Sequence, residues 1–141
     1  MDNGRSMKLS VHLAFGGNCQ EAFEFYERCF RGKIQFMETW GKSPMAAQAT
    51  PEWHGKIMHA TLEIGDGILY GADVPPGQYQ TPSGFYMMLA IQDPAESQRI
   101  FQALAEKGTV QMPLEKTFWA VLFGVVTDRF GIAWEINCEA A

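Results

Sequence analysis

The side chains of this chain best suited to proton transfer are His59 and Glu135, which lie in two stretches of alternating apolar and polar residues. In each stretch the apolar set is expected to face a covering helix, and the polar set the opposite side of a sheet. We therefore predict that His59 and Glu135 face a common cleft, where an imidazole and a carboxylate could exchange protons near neutral pH. The alternatives are a structural histidine and a hydrogen-bonded carboxylate without a chemical role.

Other side chains are predicted to line the same cleft. Glu63 shares the polar side of its strand with His59, and a two-residue turn at Gly65 and Asp66 brings Tyr70 to that side. Aromatic residues supply contact area and a polar edge, which suits a flat apolar ligand. The predicted ligand-binding set is Tyr70, Trp40, Trp53, Phe85, Met87, Trp119 and Glu63. The alternative for the aromatic residues is packing in the core or in a dimer interface.

Nothing in the sequence assigns a reaction by motif. There is no Ser-His-Asp or Cys-His signature, no phosphate-binding loop and no paired zinc motif. Of the two other histidines, His12 is assigned to the helix-covered face of the first strand and His54 to a solvated loop. An enzyme would therefore depend on dispersed residues.

Composition excludes several classes of protein. The chain has 141 residues, 47% of them apolar, a net charge of -5 and a pI of about 5.1. This acidic balance lacks the basic stripe that nucleic acids require, and no apolar run is long enough to span a membrane. Cys19, Cys29 and Cys138 are odd in number and lack metal-ligand spacing, so they fit buried thiols and a cytoplasmic location.

Hydrophobic patterning predicts an α+β fold. Asn18 is expected to cap the first helix in a capping box with Glu21, and Asp93 to cap the second, with Pro94 in its first turn. Residues 39–55 are predicted to form a long loop. The predicted strands are residues 8–15, 33–38, 56–64, 67–73, 85–91, 109–112, 117–127 and 132–137, and the predicted helices are residues 19–31 and 94–107.

The order of elements repeats along the chain. A shift of 76 residues places Leu13 on Leu89 and Phe25 on Phe101, and strand, helix, strand and hairpin follow in both halves. We predict one domain over residues 8–137, with modules at about 8–76 and 85–137 and a linker at about 74–84. Residues 1–6 are interpreted as a possible expression remnant before a natural start at Met7.

Three segments carry a resemblance to a known family: LAFGGNCQEAFEFYERCFRGKI, MHATLEIGDGILYGAD and TDRFGIAWEI. Over residues 9–137 the chain resembles PhnB-like proteins of the glyoxalase/bleomycin-resistance/extradiol-dioxygenase (vicinal oxygen chelate) superfamily. The resemblance implies two βαβββ modules that form a cupped mixed sheet, and a homodimer. Some relatives carry the label 3-demethylubiquinone-9 3-methyltransferase, but this chain has no glycine-rich strand-to-helix loop to hold a cofactor.

The resemblance also implies where a metal would bind. The superfamily's four ligand positions match Val11, Tyr70 (or Gly71 in the neighbouring register), Met87 and Glu135. Only Glu135 is an ordinary ligand for a hard cation, so we expect no metal and no cofactor at this location. A second departure lies at residues 119–122, where relatives read Trp-Gly-Asp-Arg and this chain reads Trp-Ala-Val-Leu, which makes the cleft more apolar.

These observations leave three hypotheses for function. The first is a small-molecule-binding protein with a degenerate metal site that holds an apolar or aromatic ligand, with residues 39–55 closing the cleft. The second is a metal-dependent lyase, isomerase or dioxygenase-like enzyme with rewired ligands, such as His59, Glu63 and Glu135. The third is a structural or interaction module whose cup is filled by its own side chains. Fold analogy alone does not decide among them.

Overall fold

The computed structural model describes residues 6–139, so most of the segment interpreted as an expression remnant lies outside the described residues. The chain divides into two compact units, Met1–Tyr79 and Gln80–Ala141. No helix within residues 6–139 is long and apolar enough to cross a bilayer.

The first unit contains one helix and one four-stranded sheet. Its elements are β1 (Val11–Phe15), α1 (Cys19–Phe30), β2 (Lys33–Thr39), two short 3₁₀ turns, β3 (Ile57–Ile64) and β4 (Gly67–Asp73). The sheet order is β1-β4-β3-β2, with β1 parallel to β4 and the other pairs antiparallel.

The second unit repeats this topology. Its elements are β5 (Met87–Ala90), α2 (Pro94–Ala105), β6 (Thr109–Glu115), β7 (Leu122–Thr127) and β8 (Ala133–Cys138), and its sheet order is β5-β8-β7-β6. The predicted pair of βαβββ modules is therefore confirmed. The two halves keep the 76-residue spacing from β1 to β2, whereas β3 and β7 begin only 65 residues apart, at Ile57 and Leu122, because the loop after β2 is longer than the loop after β6.

Each sheet buries one face under its helix. The predicted apolar sets are buried, with Ala60 and Leu62 at 0% exposure in the first unit, and with Trp134 at 1% and Ile136 at 0% in the second. The predicted pairing of Ile64 with Gly67 in the first hairpin is also confirmed. We call the face of each sheet that lies opposite its helix the open face.

The ends of the helices differ from the sequence prediction at two places. Asn18 makes no side-chain cap bond, so the predicted capping box does not form. Arg31, rather than Gly32, adopts the left-handed conformation at the end of α1, with φ 52°. Gly32 has a different role, since a Cβ there would overlap the carbonyl oxygen of Glu63. At α2 the prediction holds, because the Asp93 side chain accepts the backbone N–H of Ala95.

Candidate functional site

The parity of β1 decides which side chains lie on the open face of the first sheet. Leu13 and Phe15 are buried at 3% and 2% exposure, whereas His12 and Ala14 between them are exposed. His12 pairs with Tyr70 on the neighbouring parallel strand, so the two side chains point the same way. The assignment of His12 to the helix-covered face was wrong, and His12 joins Tyr70 and His59 on the open face.

Three rings lie in succession across this open face. The Phe36 and His59 ring centroids are 5.9 Å apart, and those of His59 and Tyr70 are 6.0 Å apart. We call Phe36, His59 and Tyr70 the aromatic row. Phe36 is 48% exposed, and the other two are partly exposed. Of the three, Phe36 was not singled out from the sequence.

Two ionisable groups lie beside the aromatic row. Glu38 is directly opposite His59 in the antiparallel pair of β2 and β3. His12 keeps solvent contact, yet partial burial and then the nearby charge of His59 lower its pKa below the ordinary 6.5, against a backbone hydrogen bond that raises it. His12 is therefore a neutral imidazole at neutral pH, able both to donate and to accept a hydrogen bond.

The carboxylate of Asp73, at the end of β4, positions the elements around this face. Its Oδ1 accepts the backbone N–H groups of Gly17 at 2.9 Å and Cys19 at 3.0 Å, and its Oδ2 accepts that of Ile57 at 2.8 Å. Its backbone oxygen accepts the Trp40 indole N–H at 3.0 Å. Asp73 thus takes the place of the predicted Asn18 cap, and it fills the start of α1 with negative charge where a cofactor phosphate would otherwise bind.

In the second unit, Glu135 lies on the open face between Met88 on β5 and Val125 on β7. Two residues further along β8, Asn137 has a buried Oδ1 without a hydrogen-bond donor among the described residues. Asp128 organises the turn before β8, since it accepts the N–H groups of Phe130 and Ile132 and the indole N–H of Trp134.

The predicted binding residues of the second unit are spread over three places. Trp119 lies in the loop before β7, 50% exposed, with its ring edge-on to Phe118 and Phe123 at 4.7 and 5.3 Å. Phe85 precedes β5 and is 46% exposed. Met87 pairs with the buried Trp134, so it lies on the helix-covered side. Its assignment to the cleft was wrong, and Met88 takes the open-face position.

Trp40 and Trp53 come together in the first unit. They line a pocket of about 110 Å³, which we call the Trp40–Trp53 pocket, together with Gln48, Ala49, Thr50, Pro75 and Pro76. Glu63 is exposed on the open face near the hairpin. His59 and Glu135 belong to different units, so their pairing across a cleft stays a prediction.

The ligand positions that the resemblance implied need correction. Val11 pairs with Leu69 and shares the parity of the buried Leu13, so it lies on the helix-covered side, as Met87 does. The Gly71 alternative fails for the same reason, since a Cβ there would meet the Phe23 ring of α1. Within residues 6–139, no group of three or more His, Cys, Asp or Glu side chains is arranged to hold a metal ion. The residues present therefore do not fit the superfamily's metal centre.

Comparison with known proteins gives a consistent result. The sequence model of a family described as 3-demethylubiquinone-9 3-methyltransferase matches residues 7–137. Protein YjdN of Escherichia coli K12 is 34% identical over 139 residues, which cover 93% of this chain and 95% of that protein.

Solved structures share the architecture. PA1353 from Pseudomonas aeruginosa is 43% identical with a TM-score of 0.87, over 96% of this chain and 99% of that one. A putative 3-demethylubiquinone-9 3-methyltransferase, PhnB protein, from Bacillus cereus is 23% identical with a TM-score of 0.76, over 96% and 100%. A glyoxylase/bleomycin resistance protein/dioxygenase domain from Frankia sp. has a TM-score of 0.67 at 11% identity, over 94% and 97%, which shows the fold alone.

Proposed function

We propose that this chain, which belongs to the PhnB-like 3-demethylubiquinone-9 3-methyltransferase family, binds a small apolar or aromatic molecule on the open face of its first sheet. The observation that carries the proposal is the aromatic row, in which Phe36, His59 and Tyr70 follow one another at 5.9 and 6.0 Å. Partly exposed rings in series offer area for stacking a flat ligand.

The polar groups beside the row support a ligand with one hydrogen-bonding substituent. Neutral His12 is adjacent to Tyr70, so an imidazole and a phenol can each donate or accept at neighbouring points. A mostly apolar surface with a few placed polar groups is typical of small-molecule sites. The binding proposed here needs no metal, and the donor set does not fit one.

Binding of 2-naphthol, compared with its saturated analogue decahydro-2-naphthol, tests this proposal by calorimetry. We expect 2-naphthol to bind more tightly, and Tyr70→Ala to weaken it about 5- to 10-fold, because one stacking partner is lost. Tyr86→Ala is the matched control, since Tyr86 is 55% exposed and lies in the second unit. Equal affinity for the two probes, unchanged in Tyr70→Ala, would show that the open face does not select rings.

A proton-transfer enzyme is a second candidate, favoured by the nearness of His12 to His59 and by Glu38 opposite His59. A neutral imidazole near the working pH is suited to general-base catalysis. The test is the exchange of the acidic methylene protons of phenylacetone in D₂O, followed by NMR. An exchange rate above that of buffer, lost in His12→Gln and His59→Gln, would favour the enzyme. A rate equal to buffer would leave binding as the function.

We also propose that the chain forms a homodimer. Large apolar side chains of the second unit are exposed in the single chain, among them Phe118 at 96% and Met88 at 62%, and such surfaces often mark interfaces. Light scattering of the full chain tests this. A dimer that becomes a monomer in the double variant Phe118→Ser, Met88→Ser is the expected result, and a monomer at all concentrations would contradict it.

A further inference from the structure

The Trp40–Trp53 pocket is lined by parts of the first unit that the proposed function does not use. Its walls are the loop between β2 and β3 and the segment after β4, and they include neither His59 nor Tyr70. Of the described residues that line it, none is ionisable. Two indoles and two prolines dominate the lining, with Gln48 and Thr50 as the polar side chains.

Hydrogen bonds hold the loop wall in place. The N–H of Gly41 bonds to the carbonyl of His54 at 2.9 Å, and Nε2 of His54 lies 3.0 Å from the carbonyl oxygen of Ala46 and 3.1 Å from that of Ala49. Because both of those partners are acceptors, the hydrogen of the ring lies on Nε2. The expectation that His54 is merely solvated was wrong, since it closes the loop on itself.

The two indoles differ in their bonding. Nε1 of Trp40 donates to the backbone oxygen of Asp73 at 3.0 Å, which fixes that ring. Nε1 of Trp53 is buried and has no acceptor among the described residues. Buried donors are nearly always paired, so an unpaired one needs a reason, and sites that break such a rule are often functional.

We propose that the Trp40–Trp53 pocket is a second binding site, for an uncharged aromatic ring that carries a carbonyl oxygen. The volume, about 110 Å³, suits a single ring, since a cavity of roughly 150 Å³ holds benzene. The uncharged lining disfavours ions, which would lose their hydration without a partner. A carbonyl oxygen supplies the acceptor that the Trp53 indole lacks, and the rigid loop lowers the entropic cost of binding.

Benzamide is the probe, and toluene, which has the ring without the carbonyl, is its matched control. The four tryptophans give four indole N–H signals in NMR spectra, and Trp134, bonded to Asp128 at 2.9 Å, is the internal reference. We expect benzamide, but not toluene, to move the Trp53 signal downfield while the Trp134 signal stays in place. Dissociation constants in the millimolar range suit fragments of this size.

Two variants separate binding from structure. Trp53→Phe keeps a ring but removes the donor, so it should weaken benzamide about fivefold, the size of one typical net hydrogen bond, and leave toluene unchanged. It should not lower the melting temperature, because it removes an unpaired buried N–H. Ala49→Leu fills the pocket from its wall and should reduce binding of both probes.

Three results would overturn the proposal. The first is a Trp53 signal that does not move with benzamide or moves equally with toluene. The second is unchanged benzamide affinity in Trp53→Phe or in Ala49→Leu. The third is a loss of benzamide binding in Tyr70→Ala, which would place the probe on the open face instead. Because the readout is the Trp53 signal, failure of this site is distinguishable from failure of the proposed function.

Discussion

Asp73, the last residue of β4, accepts the backbone N–H of Cys19, the first residue of α1, at 3.0 Å across 54 residues of sequence. The same carboxylate accepts the N–H groups of Gly17 and Ile57, and its side chain is buried. Buried carboxylates persist only where such donors compensate the loss of hydration. The start of α1 and the start of β3 therefore depend on one side chain.

Replacing Asp73 should be among the more damaging single changes in the first unit. Asp73→Ala leaves three N–H groups without their acceptor, so we expect the free energy of unfolding to fall by about 3–5 kcal/mol. Urea denaturation measures the loss. Asp66→Ala, in the exposed hairpin turn, is the matched control and should change stability by less than about 0.5 kcal/mol. Equal effects of the two substitutions would contradict the role assigned to Asp73.

The lowered pKa of His12 predicts a pH dependence of stability. Because the folded state binds this proton less readily than the unfolded state, stability is complete above about pH 6.5, the ordinary value, and falls as the pH drops below it. His12→Gln should make the decline between pH 7 and 5 shallower. Thermal melts across that range provide the measurement, and an unchanged slope would contradict the prediction.

His59 contributes to that shift, so its removal has a separate signature. His59→Gln abolishes the charge that disfavours protonation of His12, and the pKa of His12 should move back toward 6.5 while remaining lowered by burial. NMR titration of the His12 ring measures the change. The exposed Glu63→Gln variant, further along the same face, is the comparison. A His12 pKa that stays fixed in His59→Gln would show that the two imidazoles do not interact.

Metal addition should have no effect that depends on Glu135. The donors at the corrected open-face positions do not form a cluster suited to a metal within residues 6–139. We expect elemental analysis of the purified protein to show no stoichiometric metal, and thermal shifts with Ni, Zn, Mn and Fe(II) to be the same in Glu135→Gln. About one metal per chain, with a shift abolished by that variant, would instead make an enzyme the leading function.

Gly71 tests the packing of α1 on the first sheet. An added Cβ would meet the Phe23 ring at about 2.6 Å, so Gly71→Ala should destabilise the protein by about 1–3 kcal/mol through overpacking. Gly55→Ala is its control, since a Cβ there has open space. Equal melting temperatures for the two variants would mean that the helix shifts without cost.

The sequence predicted the repeated architecture because period-two alternation is strong in β3 and β8, where Leu62 and Trp134 mark the buried side. It failed on His12, because β1 has only five residues and exposes Val11 at its start. It missed the pairing of Phe36 with the open face, since a bulge between Ile34 and Phe36 shifts the register of β2.

Contacts between distant parts of the chain were beyond sequence reasoning for another reason. Asn18 and Glu21 have the spacing of a capping box, but nothing local shows that a carboxylate from β4 occupies the same place. A signal was nevertheless present, because Asp73 ends a strand whose preceding residues are mostly apolar. A charged residue at such a position requires partners, although the sequence does not name them.

The bonds to Asp73 also bear on how the first unit opens. The turn before α1, the first residue of β3 and the Trp40 indole all bond to this one residue, so releasing any of them weakens the hold on the others. Their amide protons should exchange with solvent in a single cooperative event rather than by independent fraying. The long loop after β2 therefore belongs to the same foldon as the helix and does not act as a separately moving flap.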